Sequence, residues 1–334
     1  MKRQVKKILF TGILQVETVT TEEEFPNELY HDDLLLETEM TLVSPGTEMD
    51  CLNGRGAGGA VFPVCLGYSA VCRVLETGTE ATEFKAGDRV LVYHSRHASL
   101  MVKNKSDVVP IPEKLSSEEA VFAVVGAMGL QGTRKTKIEL GIPAMVMGLG
   151  LLGQVALQGA ALSGAYPLIG LDFNPARRQL ALESGADYAF SPDEPGLTEK
   201  IKEITRGGVL ATVEVTGNPQ ALLQALACSA PLARVALTGC SRTPTREIDF
   251  YHLVHCPGIE IIGGHNFVRP RDQSRRDYWT MRDDMRMIMD FTAAGKMNTS
   301  KFISVITEPE NAKTVYQRFI DRDPGILGAV FKWQ

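Results

Sequence analysis

The chain contains 334 residues, of which 44% are hydrophobic and 22% are charged, so it can bury substantial cores and is not intrinsically disordered. At roughly 100–200 residues per domain, this length predicts two domains. Lysine and arginine number 35 against 40 acidic residues, giving a net charge of −5. No basic tract stands out, which argues against a nucleic acid or an anionic membrane as partner.

The first 126 residues are predicted to be rich in β-strands, separated by loops that carry proline and glycine. Ser116 and Glu119 have the spacing of a capping box, which predicts a helix from Glu118 to about Thr133. The strands expected before this helix are Ile8–Gln15, Asp33–Thr41, Ala70–Glu76 and Arg89–Tyr93.

A repeating alternation of apolar strands and helices begins at about Ala144 and predicts a parallel sheet covered on both faces. The expected strands are Met145–Met147, Leu168–Leu171, Thr212–Thr216, Arg234–Thr238 and Ile259–Ile262. The expected helices are Leu151–Ser163, Pro175–Ser184 and Pro219–Ala227. Beyond Gly264 the alternation stops, and only a helix at Met281–Ala294 and a closing strand at Gly328–Trp333 are predicted.

The predicted fold class is therefore α/β, with a doubly wound parallel-sheet domain at residues 127–264. This domain is inserted into a β-rich domain that residues 1–126 begin and residues 265–334 complete. Residues 142–171 are uncharged, but glycines and Pro167 interrupt them too often for a membrane-spanning helix. The basic start of the chain fits a first strand better than a targeting signal, because no small-residue cleavage site follows. We therefore expect a cytoplasmic protein.

Residues 148–153 read Gly-Leu-Gly-Leu-Leu-Gly, a G-x-G-x-x-G pattern between a predicted strand and a predicted uncharged helix. Gly148 permits the tight turn, and Gly153 lets the helix pack on the strand. Gly150, with Leu151 and Leu152 at the helix N-terminus, leaves room for a pyrophosphate. The alternative is a strand–helix unit whose glycines serve packing alone.

Asp172 stands 19 residues after Gly153, where a carboxylate accepts hydrogen bonds from an adenosine ribose. Its charge would repel a 2′-phosphate, so we predict NAD(H) as the cofactor. Arg177 and Arg178 keep NADP(H) open, because either could reach over an adenine or meet a 2′-phosphate.

Two further loops are expected at the same carboxyl-terminal edge of the sheet, where ligands of such folds bind. They contain Thr216 with Gly217, and Gly239. We predict that they contact the nicotinamide, with ordinary turn chemistry as the alternative.

Five sequence motifs resemble those of the medium-chain dehydrogenase/reductase superfamily, the alcohol-dehydrogenase-like enzymes. They are Ser44-Pro45-Gly46-Thr47-Glu48, Gly67-Tyr68-Ser69-Ala70, Gly87-Asp88-Arg89-Val90, the glycine loop with Asp172, and Val213-Glu214-Val215-Thr216-Gly217. The resemblance covers essentially the whole chain. It implies a Rossmann domain inserted into a GroES-like catalytic domain, and a homodimer or homotetramer.

The chain departs from the zinc-dependent members at the positions of the zinc ligands. Where the resemblance implies a cysteine, a histidine and a glutamate, this chain has Pro45, Tyr68 and Ser69. The third-ligand region, residues 124–130, offers only apolar residues and glycine, and the lobe that would hold a structural zinc is missing. Zinc normally needs three or four thiolate, imidazole or carboxylate ligands, so we predict no metal.

Without zinc, a side chain must move the proton of the substrate hydroxyl. The resemblance matches Thr47 to a proton relay and Glu48 to an acid that orients a neighbouring group. Tyr68 and His94 are both candidates for the proton donor and acceptor. The alternatives are that Tyr68 only fills space and that Glu48 only binds local amides, while His97 is expected to be structural.

The resulting functional hypothesis is a zinc-independent, NAD-dependent oxidoreductase that interconverts a secondary alcohol or polyol with its ketone. One alternative is NAD(P)H-dependent reduction of a C=C bond, as in quinone and enoyl reductases. Another is a nucleotide-binding protein without catalysis. The glycine-rich loop at residues 53–59 is expected to be either a lid near the substrate or an ordinary surface loop.

Overall fold

The computed structural model describes residues 1–55, 59–240, 244 and 247–334. The predicted lid at residues 53–59 therefore lies partly outside the described residues. The chain forms two compact units, one made of residues 1–125 with 285–334 and the other of residues 126–284. The sequence placed residues 265–284 with the first domain, whereas the structure groups them with the second unit.

The chain opens with a β-hairpin, β1 (Lys2–Gly12) and β2 (Gln15–Glu24), whose strands pair antiparallel. The prediction of one strand over Ile8–Gln15 was wrong, because the chain reverses between Gly12 and Gln15. Leu14 adopts a positive φ of 56° within that turn.

The next elements are strands of the first unit and three helices, the last of which begins in the first unit and continues into the second. They are β3 (Asp33–Leu42), α1 (Pro45–Leu52), β4 (Ser69–Thr77), β5 (Arg89–Tyr93), β6 (Leu100–Asn104), β7 (Val108–Pro110), α2 (Ser117–Ala120) and α3 (Ala123–Lys135). Helix α1 was not predicted. Most strand pairs of the resulting sheet are antiparallel, as expected for a β-rich domain.

The single helix predicted from Glu118 to Thr133 is two helices in the structure, although the predicted capping box at its start is present. Two side chains bind backbone carbonyls at the break. The hydroxyl of Ser69 donates to the carbonyl of Val121 at 2.5 Å, and that of Thr299 donates to the carbonyl of Glu119 at 3.1 Å. Side chains from distant parts of the chain thus provide hydrogen bonds to carbonyls near the end of the first helix.

The second unit contains the predicted strand–helix alternation. Its strands are β8 (Ala144–Met147), β9 (Leu168–Leu171), β10 (Tyr188–Phe190), β11 (Val209–Glu214), β12 (Ser229–Leu237) and β13 (Glu260–Gly263). Its helices are α4 (Leu151–Leu162), α5 (Pro175–Glu183), α6 (Leu197–Ile204) and α7 (Pro219–Cys228). The spatial order β10-β9-β8-β11-β12-β13, with all pairs parallel, is that of a Rossmann fold and confirms the predicted fold class.

Alternate residues of β8 show why this sheet is covered on both faces. Met145 and Met147 belong to one buried cluster, and Ala144 and Val146 belong to another. Because successive side chains of a strand point to opposite faces, these two clusters lie on the two sides of the sheet. The apolar strands of the sequence predicted this arrangement.

Buried polar contacts explain why residues 265–284 belong with the second unit. The amide of Gln131 donates to the carbonyls of His265 and Val268 at 3.1 and 2.9 Å. Asp284 is 1% exposed and accepts hydrogen bonds from Arg134 at 2.8 Å and Arg269 at 3.1 Å. None of these contacts follows from strand–helix periodicity.

The C-terminal part consists of α8 (Met281–Ala293), β14 (Ile303–Thr307), α9 (Ala312–Ile320) and β15 (Gly328–Lys332). Helix α8 and strand β15 confirm the two elements that were predicted beyond Gly264. The sequence did not predict α9, whose Tyr316 is fully buried and packs edge-on against Phe10. Among the helices of the described ranges, none is long and apolar enough to cross a membrane.

Candidate active site

The glycine loop follows β8 and leads into α4, as the sequence predicted. Gly148 has a φ of +87°, and a Cβ at Gly153 would lie 1.8 Å from the carbonyl oxygen of Gly148. Both positions therefore need glycine, one for the turn and one for the approach of the helix. A Cβ at Gly150 would meet nothing within 4 Å, so the space in front of the helix N-terminus is open. Leu151 is buried and Leu152 is half-buried at the start of α4.

Asp172 comes directly after β9 and binds the glycine loop. Its Oδ2 accepts from the amide of Leu149 at 2.8 Å, and its Oδ1 accepts from the amide of Asn174 at 2.8 Å. Each carboxylate oxygen has two lone pairs, so acceptor capacity for a ribose remains. The glycine loop, predicted to bind the pyrophosphate, and Asp172, predicted to bind the ribose, are therefore adjacent.

The two arginines that left the cofactor preference open have different surroundings. Arg178 donates to the carbonyls of Asp172 and Phe173 at 2.8 and 2.9 Å. Arg177 places Nη1 3.8 Å from Oδ2 of Asp172. The guanidinium of Arg177 therefore lies near the Asp172 carboxylate, while that of Arg178 binds backbone carbonyls.

Glu214 holds the two loops that were predicted to contact the nicotinamide. The side chain is 1% exposed, and its Oε1 accepts from the amides of Thr216 and Gly217 at 2.6 and 3.1 Å, and from the Thr216 hydroxyl. Its carbonyl accepts from the amides of Thr238 and Gly239 at 2.8 and 2.9 Å. Burial raises the pKa of the Glu214 carboxyl above its usual value. The sequence analysis quoted Glu214 within a motif but assigned it no role.

In the first unit, the structure brings Thr47 and Tyr68 together. Tyr68 lies just before β4, and Thr47 lies in the first turn of α1. The Tyr68 hydroxyl donates to Thr47 Oγ1 at 3.4 Å and also hydrogen-bonds to the hydroxyl of Ser44. Thr47 is exposed and Tyr68 is half-buried, so these two hydroxyls are accessible from solvent, whereas Ser44 is buried. Ser44 was not among the predicted site residues.

Glu48 lies behind this group and is fully buried. Its Oε1 accepts from the amide of Ser44 at 2.8 Å, and its Oε2 accepts from the hydroxyl of Tyr316 at 2.5 Å. His97 Nε2 stands 3.3 Å from Oε2. Burial, and next to it the Glu48 carboxylate, raise the pKa of Tyr316 well above its usual range. The Glu48 carboxylate thus holds the backbone of Ser44 in place. Tyr316, which binds the same carboxylate, was missed by the sequence analysis.

His94, the other candidate for the proton donor, contacts Tyr93 and Asp107. His94 has a positive φ of 52°, stacks on Tyr93 with ring centroids 3.6 Å apart, and has Nδ1 3.3 Å from Oδ1 of Asp107. His97, which was expected to be structural, is 1% exposed and has Nδ1 2.7 Å from the Thr41 hydroxyl. The contacts of the predicted relay residue Thr47 therefore favour Tyr68 over His94.

Comparisons with known proteins agree with this architecture. The zinc-binding dehydrogenase family matches residues 152–273. D-guloside 3-dehydrogenase of Escherichia coli K12 is 24% identical over 264 residues, 78% of this chain and 74% of that protein. Sorbitol dehydrogenase of Bacillus subtilis is 27% identical over 283 residues, 70% of this chain and 80% of that protein. These matches support the predicted resemblance to the medium-chain dehydrogenase/reductase superfamily. The chain is an oxidoreductase.

Solved structures extend the likeness of this dehydrogenase to nearly its full length. A zinc-binding dehydrogenase of Sinorhizobium meliloti, bound to NADP, has a TM-score of 0.82 and 19% identity and covers 99% of each chain. A short-chain alcohol dehydrogenase of Escherichia coli CFT073, in complex with NADH, has a TM-score of 0.83 and 17% identity and covers 99% of each chain. At these identities the likeness concerns the fold alone.

The residues at the positions where the resemblance implies zinc ligands do not fit a zinc ion. Pro45 has no side-chain donor atom, and the Ser69 hydroxyl is buried and donates to the Val121 carbonyl. The Tyr68 hydroxyl is bonded to Ser44 and Thr47. Zinc prefers thiolate, imidazole and carboxylate ligands. Within the described ranges, no three histidine, cysteine or acidic side chains stand together as a metal site.

Proposed function

We propose that this dehydrogenase is a zinc-independent, NAD(H)-dependent oxidoreductase that interconverts a secondary alcohol or polyol with its ketone. One observation carries the proposal. A phenol that is hydrogen-bonded to two further hydroxyls, those of Ser44 and Thr47, occupies the position of the family's zinc-binding histidine. This arrangement supplies a proton donor and acceptor where relatives would supply a metal.

The second unit fits a dinucleotide. The open space at Gly150 and the amides at the start of α4 suit a pyrophosphate, because the N-terminus of a helix favours negative charge. Asp172 would accept hydrogen bonds from the adenosine ribose, and its charge opposes a 2′-phosphate. Arg177 Nη1 lies 3.8 Å from Oδ2 of that carboxylate, so the cofactor assay described below also tests whether this guanidinium admits a 2′-phosphate.

The substrate class follows from the names of the relatives together with the hydroxyl group. Guloside 3-dehydrogenase and sorbitol dehydrogenase are named for polyhydroxylated substrates. The hydroxyls of Tyr68 and of the exposed Thr47 can each hydrogen-bond one of two neighbouring hydroxyls on a polyol. We therefore favour a polyol over a simple alcohol.

In the oxidation, the carbon that bears the hydroxyl loses a hydride, and its oxygen loses a proton as the C=O bond forms. Bound NAD⁺ would supply the acceptor for the hydride. The Tyr68 phenolate accepts the proton, and the exposed Thr47 hydroxyl passes a proton onward to water. Reduction runs the same transfers in reverse. General acid–base catalysis of this kind contributes about 10²–10⁴-fold to the rate.

A substrate and cofactor panel tests the proposal. The purified protein is assayed with sorbitol, 2,3-butanediol, an α,β-unsaturated ketone and a quinone, each with the NAD and the NADP form of the cofactor. Turnover of a polyol or secondary alcohol, faster with NAD⁺ than with NADP⁺, supports it. Reduction of the C=C bond or the quinone without alcohol turnover would instead assign the protein to the quinone and enoyl reductases.

A further inference from the structure

Ser44 occupies the N-cap position of α1 but does not cap the helix. A serine at this position normally accepts a hydrogen bond from an amide in the first turn. Ser44 makes no such side-chain bond, whereas Ser116, the N-cap of α2, accepts from the amide of Glu119 at 3.2 Å. The Ser44 hydroxyl is directed to the hydroxyl of Tyr68 instead.

The backbone of Ser44 is fixed from the opposite side. Its amide donates to Oε1 of Glu48 at 2.8 Å, and Glu48 is itself held by the hydroxyl of Tyr316 at 2.5 Å. Ser44 is 4% exposed, so water has little access to its hydroxyl. A residue that breaks a local capping rule while the surrounding structure fixes its position is a feature of functional sites.

The three hydroxyls form a row with Tyr68 in the middle. The Tyr68 hydroxyl donates to Thr47, which leaves its oxygen to accept from Ser44. We propose that Ser44 is a positioning residue that donates a hydrogen bond to Tyr68 and stabilises its phenolate form. This inference rests on the proposed function, because it concerns the phenolate that accepts the substrate proton.

The direction in which the pH profile moves without the Ser44 hydroxyl follows from hydrogen-bond strength. A hydrogen bond to a charged acceptor is about twice as strong as one to a neutral acceptor. Ser44 therefore stabilises the phenolate more than the phenol. Without the serine hydroxyl, a higher pH is needed to form the phenolate, and the pH dependence of alcohol oxidation moves upward.

The test compares Ser44→Ala with Ser44→Thr in the full-length protein. We expect Ser44→Ala to shift the pH profile of kcat for alcohol oxidation upward by about one pH unit, with cofactor affinity unchanged. At a pH below the midpoint of the profile, kcat should then fall about tenfold. Ser44→Thr retains a hydroxyl and should restore the wild-type profile.

Ser116→Ala is the matched control, because it removes a serine that does cap its helix. It should lower the Tm by about 2–4 °C and leave the pH profile in place. An upward shift of the profile in Ser116→Ala as large as in Ser44→Ala would overturn the inference, since a general loss of stability would then explain both.

A second readout does not depend on turnover. Tetranitromethane nitrates tyrosine through the phenolate, and mass spectrometry can follow the modification of Tyr68 as a function of pH. The midpoint for Tyr68 should move upward in Ser44→Ala and return in Ser44→Thr. If no alcohol or ketone is turned over, the proposed function fails while the nitration result still decides the role of Ser44. An unchanged nitration midpoint in Ser44→Ala would overturn that role.

Discussion

The predicted nucleotide site and the hydroxyl group of the first unit are assembled in different ways. In the second unit, Gly148, Gly150, Gly153 and Asp172 act at strand ends and turns, within 25 residues of one another. In the first unit, the carboxylate of Glu48 joins residues from separate parts of the chain. Tyr316, one of its partners, is 268 positions away. One site uses turn geometry, and the other uses a buried polar network.

The difference matters because single substitutions are expected to affect the two sites differently. At the glycine loop, the predicted ligand contacts come from backbone amides, which remain when a side chain other than those of Gly148 and Gly153 is changed. In the buried network, the loss of one member leaves its partners without a hydrogen bond, at considerable cost. We therefore expect larger effects from single changes at Glu48 and Tyr68 than from removal of the Asp172 side chain.

The largest effect is expected from Tyr68→Phe, which removes the proposed acid and base and keeps the ring. The kcat for alcohol oxidation should fall about 10²–10⁴-fold, because that is the usual contribution of a positioned proton donor. The affinity for NADH, measured by fluorescence titration, should stay the same. Tyr30→Phe, at a tyrosine that is 78% exposed, is the control. Wild-type kcat in Tyr68→Phe would reduce Tyr68 to a packing residue.

Glu48→Ala tests the buried network itself. Without Glu48, the Ser44 amide and the Tyr316 hydroxyl are buried without their acceptor, at about 1–3 kcal/mol each, so we expect the free energy of unfolding to fall by about 2–6 kcal/mol. Urea denaturation followed by circular dichroism measures it. Glu310→Ala removes a carboxylate whose ion pair with Lys6 is half exposed, and should cost at most about 1 kcal/mol. Equal losses in both variants would show that the network carries no special stability.

Asp172→Ala addresses the nucleotide site. Hydrogen bonds that involve a charged group contribute about 1.5–3 kcal/mol, so NADH should bind roughly 10–150-fold more weakly. NADPH should lose much less, because Asp172 opposes its phosphate. The ratio of the two dissociation constants cancels any general effect on the loop. An unchanged ratio would refute the assignment of Asp172 to the ribose.

The smallest effect concerns Glu214, whose pKa is raised by burial. The folded state then retains a proton that the unfolded state releases near its ordinary value of 4.5, so the free energy of unfolding decreases as the pH rises through and beyond that value. Glu214→Gln removes this dependence, and its stability relative to wild type should increase with pH. Glu260→Gln, at an exposed glutamate, should show no such trend. A relative stability that falls with pH would contradict the raised pKa.

The sequence predicted the Rossmann sheet well because its signals are local. Apolar strands, the glycine pattern and Asp172 have fixed spacings, and the alternation with helices predicts parallel strands. Strand β10 and helix α6 were not predicted. The capping box at Ser116 was also predicted, because its signal is local. The grouping of residues 265–284 was not predicted, because the contacts of Gln131 and Asp284 depend on tertiary structure.

The first unit was harder to predict for the same reason. The motif around Thr47 and Tyr68 identified two of the three hydroxyls, but nothing in a linear pattern shows that the Ser44 hydroxyl leaves its helix. Tyr316 lies on a helix, α9, that the sequence did not predict. No spacing rule links a tyrosine to a glutamate 268 residues away. Ser44 followed by Pro45 is an ordinary N-cap pattern, which predicts a capping hydroxyl and not the contact with Tyr68.

The central claim is that a protein hydroxyl, and no bound zinc, moves the substrate proton. The most direct measurement is turnover of the protein after dialysis against a strong chelator, with zinc content determined on the same sample. The account predicts that kcat for alcohol oxidation is unchanged in zinc-free protein. A loss of activity that stoichiometric zinc restores would contradict it.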